Sequence, residues 1–117
     1  ITEVIRRLRP GGCLVILAPA FQFLYSPYDA AVGHYRRYSR PALAKIIPRQ
    51  LQQLKLRYLD SAGMTLSLVN RIILRYREPT SGQINFWDRF VIPVSRILDP
   101  VINYSLGRSL VGVWTLQ

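Results

Sequence analysis

The sequence is poor in acidic residues, histidine and cysteine, and each shortage narrows what the protein can be. Its 117 residues include only six Asp and Glu, one His and one Cys. A single cysteine excludes an internal disulfide, and one histidine among scattered carboxylates lacks the ligand spacing of a metal site. We therefore expect no metal ion. At the head of an apolar run, Cys13 is expected to be a core residue.

Long hydrophobic runs and leader signals are also missing. No apolar run reaches the roughly 18–20 residues that cross a bilayer as a helix, and no segment resembles a signal peptide. No methionine precedes Ile1 and the sequence opens inside a helical pattern, so we expect a piece of a longer protein. The composition, 50% hydrophobic and 19% charged, predicts a folded chain, and the length predicts one domain over residues 1–117.

Positive charge is abundant instead, and it is unevenly spread. The net charge is +10, and no acidic residue lies between Asp29 and Asp60. That interval contains seven cations: Arg36, Arg37, Arg40, Lys45, Arg49, Lys55 and Arg57. Such a stripe can meet the phosphates of nucleic acid or an anionic membrane surface. The alternative is that an acidic remainder of the protein balances it.

The first 20 residues predict a helix, a glycine turn and a strand. Ile1, Val4, Ile5 and Leu8 recur at helical spacing, and Pro10 ends the helix. Residues 13–18 (CLVILA) are apolar without alternation, which predicts an inner strand covered on both faces. Residues from Pro19 onward then form a loop at the carboxyl end of that strand, where open α/β sheets bind ligands.

The loop over residues 19–39 concentrates residues with chemical functions. It holds the only histidine, His34, two adjacent arginines and four of the seven tyrosines. Disordered segments are poor in aromatic residues, so we expect an ordered loop that lines a pocket.

The remaining pattern predicts one helix and two strands around a region of two further helices. Ser39 is a good N-cap for a helix that Pro48 ends, and alternation through Tyr58 predicts a strand. Residues 61–106 predict two amphipathic helices, one with Leu66, Val69, Ile73 and Tyr76 on a face, the other from Ile84 to Val101 with a kink at Pro93. Residues 110–116 predict the closing strand, in which Gly112 permits close packing and Trp114 makes a large buried contact.

Several of these segments resemble class I S-adenosylmethionine-dependent methyltransferases. Residues 8–12 (LRPGG) followed by an apolar strand are similar to the fifth strand of that family. Residues 19–20 (PA), 24–29 (LYSPYD) and 33–39 (GHYRRYS) together resemble one subgroup, which carries a Gly-His-x-Arg-Arg-Tyr-Ser element after that strand. The similarity runs over essentially the whole chain but covers only the C-terminal half of the family's catalytic domain.

The resemblance implies a fold. It implies an α/β, partial Rossmann-like mixed sheet ordered fifth, seventh, sixth strand, with the last strand antiparallel and helices on both faces. Residues 61–106 would be a helical insertion before the last strand, of the kind that sets acceptor choice. The insertion can cover the sheet, act as a lid over the acceptor, or face a membrane. The free edge of residues 14–18 would favour self-association or a strand swap in isolation.

The resemblance also implies an activity. It implies methyl transfer from S-adenosylmethionine to a small-molecule or lipid- or glycan-linked acceptor, by a cytoplasmic enzyme that can be membrane-associated. The family's glycine-rich loop and acidic cofactor residue are not in this sequence, so no cofactor-binding residue is assigned and this piece alone is expected to be inactive. The alternative is a non-catalytic basic module that binds an anionic membrane surface or, less favoured, nucleic acid.

The candidate site residues all lie in the loop. His34 is the candidate catalytic base, since histidine accepts protons near neutral pH. The candidate acceptor-binding residues are Tyr28, Asp29, Tyr35, Arg36, Arg37 and Tyr38, by stacking, hydrogen bonding or a bidentate grip on a carboxylate or phosphate. The structural alternatives are that His34 pins the loop and that the arginines form salt bridges to the rest of the protein.

Overall fold

A computed structural model of the chain describes residues 1–69 and 81–117. Its elements in order are α1 (Thr2–Arg7), β1 (Cys13–Pro19), α2 (Pro27–Ala31), α3 (Arg40–Lys45), β2 (Leu51–Leu59), α4 (Ser61–Val69), α5 (Ser81–Phe86), α6 (Ile92–Val101) and β3 (Ser109–Leu116). A 3-10 turn, Gln22–Leu24, follows β1, and a π turn, Trp87–Val91, joins α5 to α6.

The described strands form one open sheet with β3 in the middle. The order is β1-β3-β2, and β3 runs antiparallel to both neighbours. Gly112 is the central position, opposite Ile16 on one side and Leu56 on the other. The predicted order and antiparallel last strand are therefore confirmed. The predicted mixed sheet is wrong, because β3 separates the two strands that run the same way and every neighbouring pair is antiparallel.

One face of the sheet carries the core. Ile5 of α1 and Leu43 of α3 pack there with Tyr58, Leu110 and Trp114. A Cβ at Gly112 would lie 2.0 Å from the Trp114 ring, so the indole covers this glycine directly. The predicted close packing at Gly112 is confirmed, and the structure identifies its partner as the buried Trp114 ring. It explains how the largest side chain of the core fits over a narrow sheet.

The opposite face of β1 is exposed. Val15 and Leu17 are 60% and 69% exposed, and Cys13 is exposed as well. The predictions of a doubly covered strand, of helices on both faces and of Cys13 in the core are therefore wrong for the described part of the chain. Alternate residues of a strand point to opposite faces. Because α1 and α3 pack on only one face, half of this apolar run is left uncovered.

The helices after β2 are attached through a carboxylate cap. Asp60, in the left-handed region at φ 66°, and Ser61 donate their backbone N–H groups to the Asp99 carboxylate at 2.8 and 3.0 Å. This fixes α6 to the start of α4. Of the residues predicted for the first helix, Ile73 and Tyr76 lie outside the described residues. The second helix was predicted to run from Ile84. α5 already includes Ser81 and Gly82.

The sequence predicted a kink at Pro93, and the structure has a π turn just before this proline. Pro93 occupies the first turn of α6, and the π turn precedes it. A proline ring cannot donate to the carbonyl four residues earlier and clashes with it, so the backbone adjusts on the N-terminal side. Within the described ranges, no helix has the length and apolar character needed to cross a membrane.

The outer edge of β1 presents unpaired backbone groups. Gly12 O accepts from Leu116 N at 3.0 Å, and Ala20 N donates to Arg108 O at 2.8 Å. By the alternation of an antiparallel ladder, even-numbered residues of β1 bond to β3 and odd-numbered ones point outward. Among the described residues of β1, Pro19 O has an outward partner, the Tyr38 N–H at 2.8 Å. The edge at Val15 and Leu17 is therefore free within the described residues.

We propose that this edge pairs with a second copy when the chain is isolated, because unpaired edges flanked by exposed apolar side chains recruit strands. Leu17→Pro removes an outward N–H and should abolish self-association, whereas the control Leu17→Ala removes the side chain but keeps that donor. Sedimentation velocity over a concentration series measures the difference. A wild-type chain that stays monomeric, or equal behaviour of the two variants, would contradict edge pairing.

Candidate functional site

The loop between β1 and α3 is closed at its base. Tyr38 forms a parallel bridge with Ala20, in which Phe21 N donates to Tyr38 O at 3.0 Å. Ala20 is fully buried beneath this bridge. The loop therefore leaves and returns at the carboxyl end of β1, and its residues are held over that end of the strand.

Inside the loop, α2 begins at a carboxylate cap. The Asp29 carboxylate accepts hydrogen bonds from the backbone N–H of Ser26 at 2.9 Å and from its hydroxyl at 3.2 Å. Pro27 occupies the first turn, where it needs no donor. The sequence analysis did not predict this helix. The signal was present, because Ser-Pro-x-Asp is a capping-box pattern with proline at the first helical position.

Asp29 and Arg37 form a buried ion pair at the centre of the loop. Arg37 Nε lies 3.1 and 3.2 Å from the two oxygens of Asp29, and both side chains are almost fully buried. Arg37 Nη1 also donates to the carbonyls of Ala20 and Arg108, at 2.9 and 3.2 Å. The arginine thus joins the loop to the end of β1 and the start of β3. The salt-bridge alternative placed the partner of this arginine in the rest of the protein. The structure places that partner, Asp29, within this chain.

The carboxyl of Asp29 is held ionised by its surroundings. Burial alone would raise its pKa, but the hydrogen bonds from Arg37 and Ser26 and the charge of Arg37 outweigh it, so the pKa is lowered below its usual 3.8. A buried carboxylate with these donors is stable only while it is charged.

His34 is oriented by the same carboxylate. His34 Nδ1 lies 3.2 Å from Asp29 Oδ1, and the backbone of His34 is fixed by Tyr25, whose hydroxyl donates to its carbonyl at 2.8 Å. An ionised carboxylate only accepts, so Nδ1 carries the proton in this pair and Nε2 of the neutral ring has the free lone pair. The imidazole side chain is 44% exposed. This arrangement can take a proton from a molecule beside the loop.

A cleft of about 240 Å³ lies at the carboxyl end of β1. Its polar lining comes from two elements: Tyr28, Asp29, His34 and Arg37 in the loop, and Arg108 and Ser109 before and in β3. The structure therefore brings together four of the predicted site residues. The other three lie elsewhere. Tyr35 is 94% exposed, Arg36 stacks on the Tyr38 ring at 4.7 Å, and Tyr38 lines an apolar groove against α1 and α3.

Arg108 is a charged residue of the cleft that was not predicted from the sequence. Its backbone is fixed on both sides, with its N–H donating to Asp60 O at 3.1 Å and its carbonyl accepting from Ala20 and Arg37. Its guanidinium lies 4.7 Å from the centre of the Trp87 ring. Burial, and then the charge of Arg37, lower the pKa of Arg108 below the usual value for arginine. No carboxylate forms a salt bridge with it among the residues described.

A sequence signal for Arg108 existed. The predicted strand order places the start of the closing strand beside the carboxyl end of β1, and Arg108 immediately precedes that strand. Gly107 allows the approach, since a Cβ there would lie 2.1 Å from the Leu59 carbonyl oxygen. Within residues 1–69 and 81–117, no group of three or more His, Cys, Asp or Glu can hold a metal ion.

Comparisons with protein-family models, curated proteins and solved structures give no match to this chain. The interpretation of the cleft therefore depends on its own geometry.

Replacing Asp29 by Asn should strongly destabilise the protein at neutral pH. The neutral amide leaves Arg37 charged, buried and unpaired, which costs about 3–5 kcal/mol in the free energy of unfolding. The folded pKa of Asp29 is lowered, so its contribution is complete above the unfolded value near 3.8 and is lost as the pH falls through the folded pKa. The advantage of wild type over Asp29→Asn should therefore shrink below about pH 4.

Urea unfolding followed by circular dichroism, repeated from pH 7 to pH 3, measures this difference. Asp29→Asn/Arg37→Met is the matched control, because it removes both charges and should recover part of the loss. A difference between wild type and Asp29→Asn that stays constant over this pH range would show that the ion pair is not its source.

Proposed function

We propose that this chain forms the acceptor-binding side of an S-adenosylmethionine-dependent methyltransferase. In this proposal β1, β3 and β2 correspond to the fifth, seventh and sixth strands of a class I, Rossmann-like sheet. The observation that carries it is the cleft at the carboxyl end of β1, where the His34–Asp29 pair and Arg108 meet. Ligands of open α/β sheets bind at that end of the strands. The order β1-β3-β2 with an antiparallel β3 supports it further.

The cleft suits an acceptor that carries a carboxylate or a phosphate. Two guanidinium groups line it. Arg37 forms a salt bridge with Asp29, whereas Arg108 feels the charges of Asp60 and Asp29 without a salt bridge to a carboxylate among the described residues. Arg108 can therefore bind an anionic group with a charge-assisted, bidentate contact. Tyr28 adds a phenol that donates to or accepts from the acceptor. A small molecule or a lipid- or glycan-linked acceptor satisfies this chemistry.

His34 performs the proton step in this proposal. Its free Nε2 accepts the proton of an acceptor O–H or N–H group while that group becomes a nucleophile. Asp29 stabilises the imidazolium that results and keeps the ring in the required tautomer, because its carboxylate stays ionised.

In this proposal the cleft is not the site of the cofactor itself. The cleft holds about 240 Å³, two of its lining residues are arginines, and its one buried carboxylate is engaged by Arg37 and Ser26. A sulfonium with an adenosine group finds neither an acidic partner nor room there. The cofactor would be held by residues outside this chain, and only acceptor binding and proton transfer are derived from this one.

The proposal predicts separable effects of two substitutions in a protein that combines this chain with the cofactor-binding half that the proposal requires. His34→Gln should lower the turnover of methyl transfer by roughly 100- to 10,000-fold with S-adenosylmethionine binding unchanged. Arg108→Met should raise the KM for an anionic acceptor about 10- to 100-fold. Transfer of tritium-labelled methyl to a panel of carboxylate, phosphate and lipid-linked acceptors measures both.

Tyr35→Phe is the control, since Tyr35 neighbours His34 in sequence but points to solvent and should leave both quantities unchanged. The chain alone should not bind S-adenosylmethionine in calorimetry. If the extended protein folds and still fails to bind it, the proposal is wrong. Steep, salt-dependent binding of duplex DNA in its place would favour the basic nucleic-acid-binding module.

A further inference from the structure

The last helical segment is held in one orientation by its inner face. α5, the π turn and α6 follow one another from Ser81 to Val101 without interruption. Val91, Ser95 and Asp99 are 4%, 3% and 4% exposed, and recur every fourth residue. Ser95 donates to the Asp60 carboxylate at 2.7 Å, and Asp99 accepts from Asp60 and Ser61. These contacts determine which side of the segment faces away from the protein.

The side that faces away is apolar along its whole length. We call this set the outer stripe: Phe86 (51% exposed), Phe90 (53%), Val94 (46%), Ile97 (71%) and Val101 (77%). The spacing of three and four residues places them on one side of the helix. Pro93 and Pro100, also exposed, extend it. Single exposed apolar residues are ordinary, but a continuous row of five on one helix marks a binding surface.

Cations border the outer stripe. Arg89 and Arg96 are exposed and seven residues apart, which places them on the same flank of the helix. The Arg89 guanidinium lies 5.7 Å from the centre of the Phe90 ring. Aromatic and aliphatic residues on one side with arginines at the border are typical of helices that lie in a membrane interface.

We propose that the outer stripe binds an anionic membrane surface, with the helix lying in the plane of the interface. The stripe would enter the headgroup and acyl boundary, and Arg89 and Arg96 would contact lipid phosphates. A second copy of this chain fits less well, because pairing two outer stripes brings the arginine flanks of two molecules of net charge +10 together. The proposal does not depend on the methyl-transfer proposal.

The test is co-sedimentation with vesicles of phosphatidylcholine alone or mixed equally with phosphatidylglycerol. Wild type should bind the mixed vesicles, and Phe86→Ser/Phe90→Ser/Ile97→Ser should bind them at least about tenfold more weakly. The matched control is Val15→Ser/Leu17→Ser, which removes equally exposed apolar side chains from the sheet and should bind as wild type does. Arg89→Gln/Arg96→Gln should weaken binding more than Arg6→Gln/Arg7→Gln.

A second measurement detects contact of the outer stripe with the membrane directly and does not require a variant that loses binding. An environment-sensitive dye on Ile97→Cys, in a Cys13→Ser background, should shift to the blue on mixed vesicles, whereas the same dye on Leu17→Cys should not. The proposal is overturned if wild type ignores mixed vesicles, if both serine variants lose binding equally, or if the stripe variant binds as wild type does. It is also overturned if the stripe variant abolishes a dimer formed without lipid.

Discussion

The buried pair of Asp29 and Arg37 is the contact on which the rest of the candidate site depends. About 20 residues separate β1 from α3, and a loop of that length has too little apolar surface to form a core of its own. The carboxylate accepts from Ser26, His34 and Arg37, and the guanidinium donates onward to Ala20 and Arg108. A buried ion pair adds little to stability compared with apolar packing, but breaking it is costly. The pair therefore fixes one conformation of the loop.

The same pair decides the charge of the cleft. Arg37 is a cation in the sequence, but its charge is compensated within 3.2 Å by Asp29. Arg108 is partly removed from water and rests on an aromatic face without a carboxylate partner among the described residues. A partly desolvated guanidinium favours an anion that can reach it. The anion preference that we propose for the cleft thus comes from Arg108, which lies outside the GHYRRYS segment, whereas Arg37 inside that segment has a structural partner.

The sequence predicted the order of the helices and strands better than it predicted which faces of the sheet are covered. The helix, turn, strand order and closing strand followed from the apolar periods, the Pro-Gly-Gly turn and the resemblance. The prediction that β1 is covered on both faces was wrong. An apolar run indicates that a strand can be buried on both faces, but it does not show that helices are available to cover both. Val15 and Leu17 are exposed for this reason.

The site was predicted in part. The sequence identified Asp29, His34 and Arg37 as site residues, but it did not predict their contacts with one another. Those contacts depend on the turn of α2, which brings residues five and eight positions after Asp29 to its carboxylate. Tyr35 and Arg36 were predicted from the chemistry of their side chains, stacking or hydrogen bonding for the phenol and a grip on an anion for the guanidinium. In a bent loop, neighbouring residues point in different directions, so adjacency in sequence does not predict a shared cleft.

Trp87 connects the cleft to the helix that carries the outer stripe. One face of its indole ring meets the Arg108 guanidinium, and its Nε1 donates to the Asp60 carboxylate at 3.1 Å. Asp60 in turn accepts from Ser95 on the same helix and supplies the carbonyl that holds the Arg108 backbone. Because Asp60 is itself bonded to this helix through Ser95 and Asp99, a shift of the helix would displace the ring beneath the guanidinium together with the contact that holds the Arg108 backbone. The position of the Arg108 guanidinium in the cleft therefore depends on the position of the helix that carries the outer stripe.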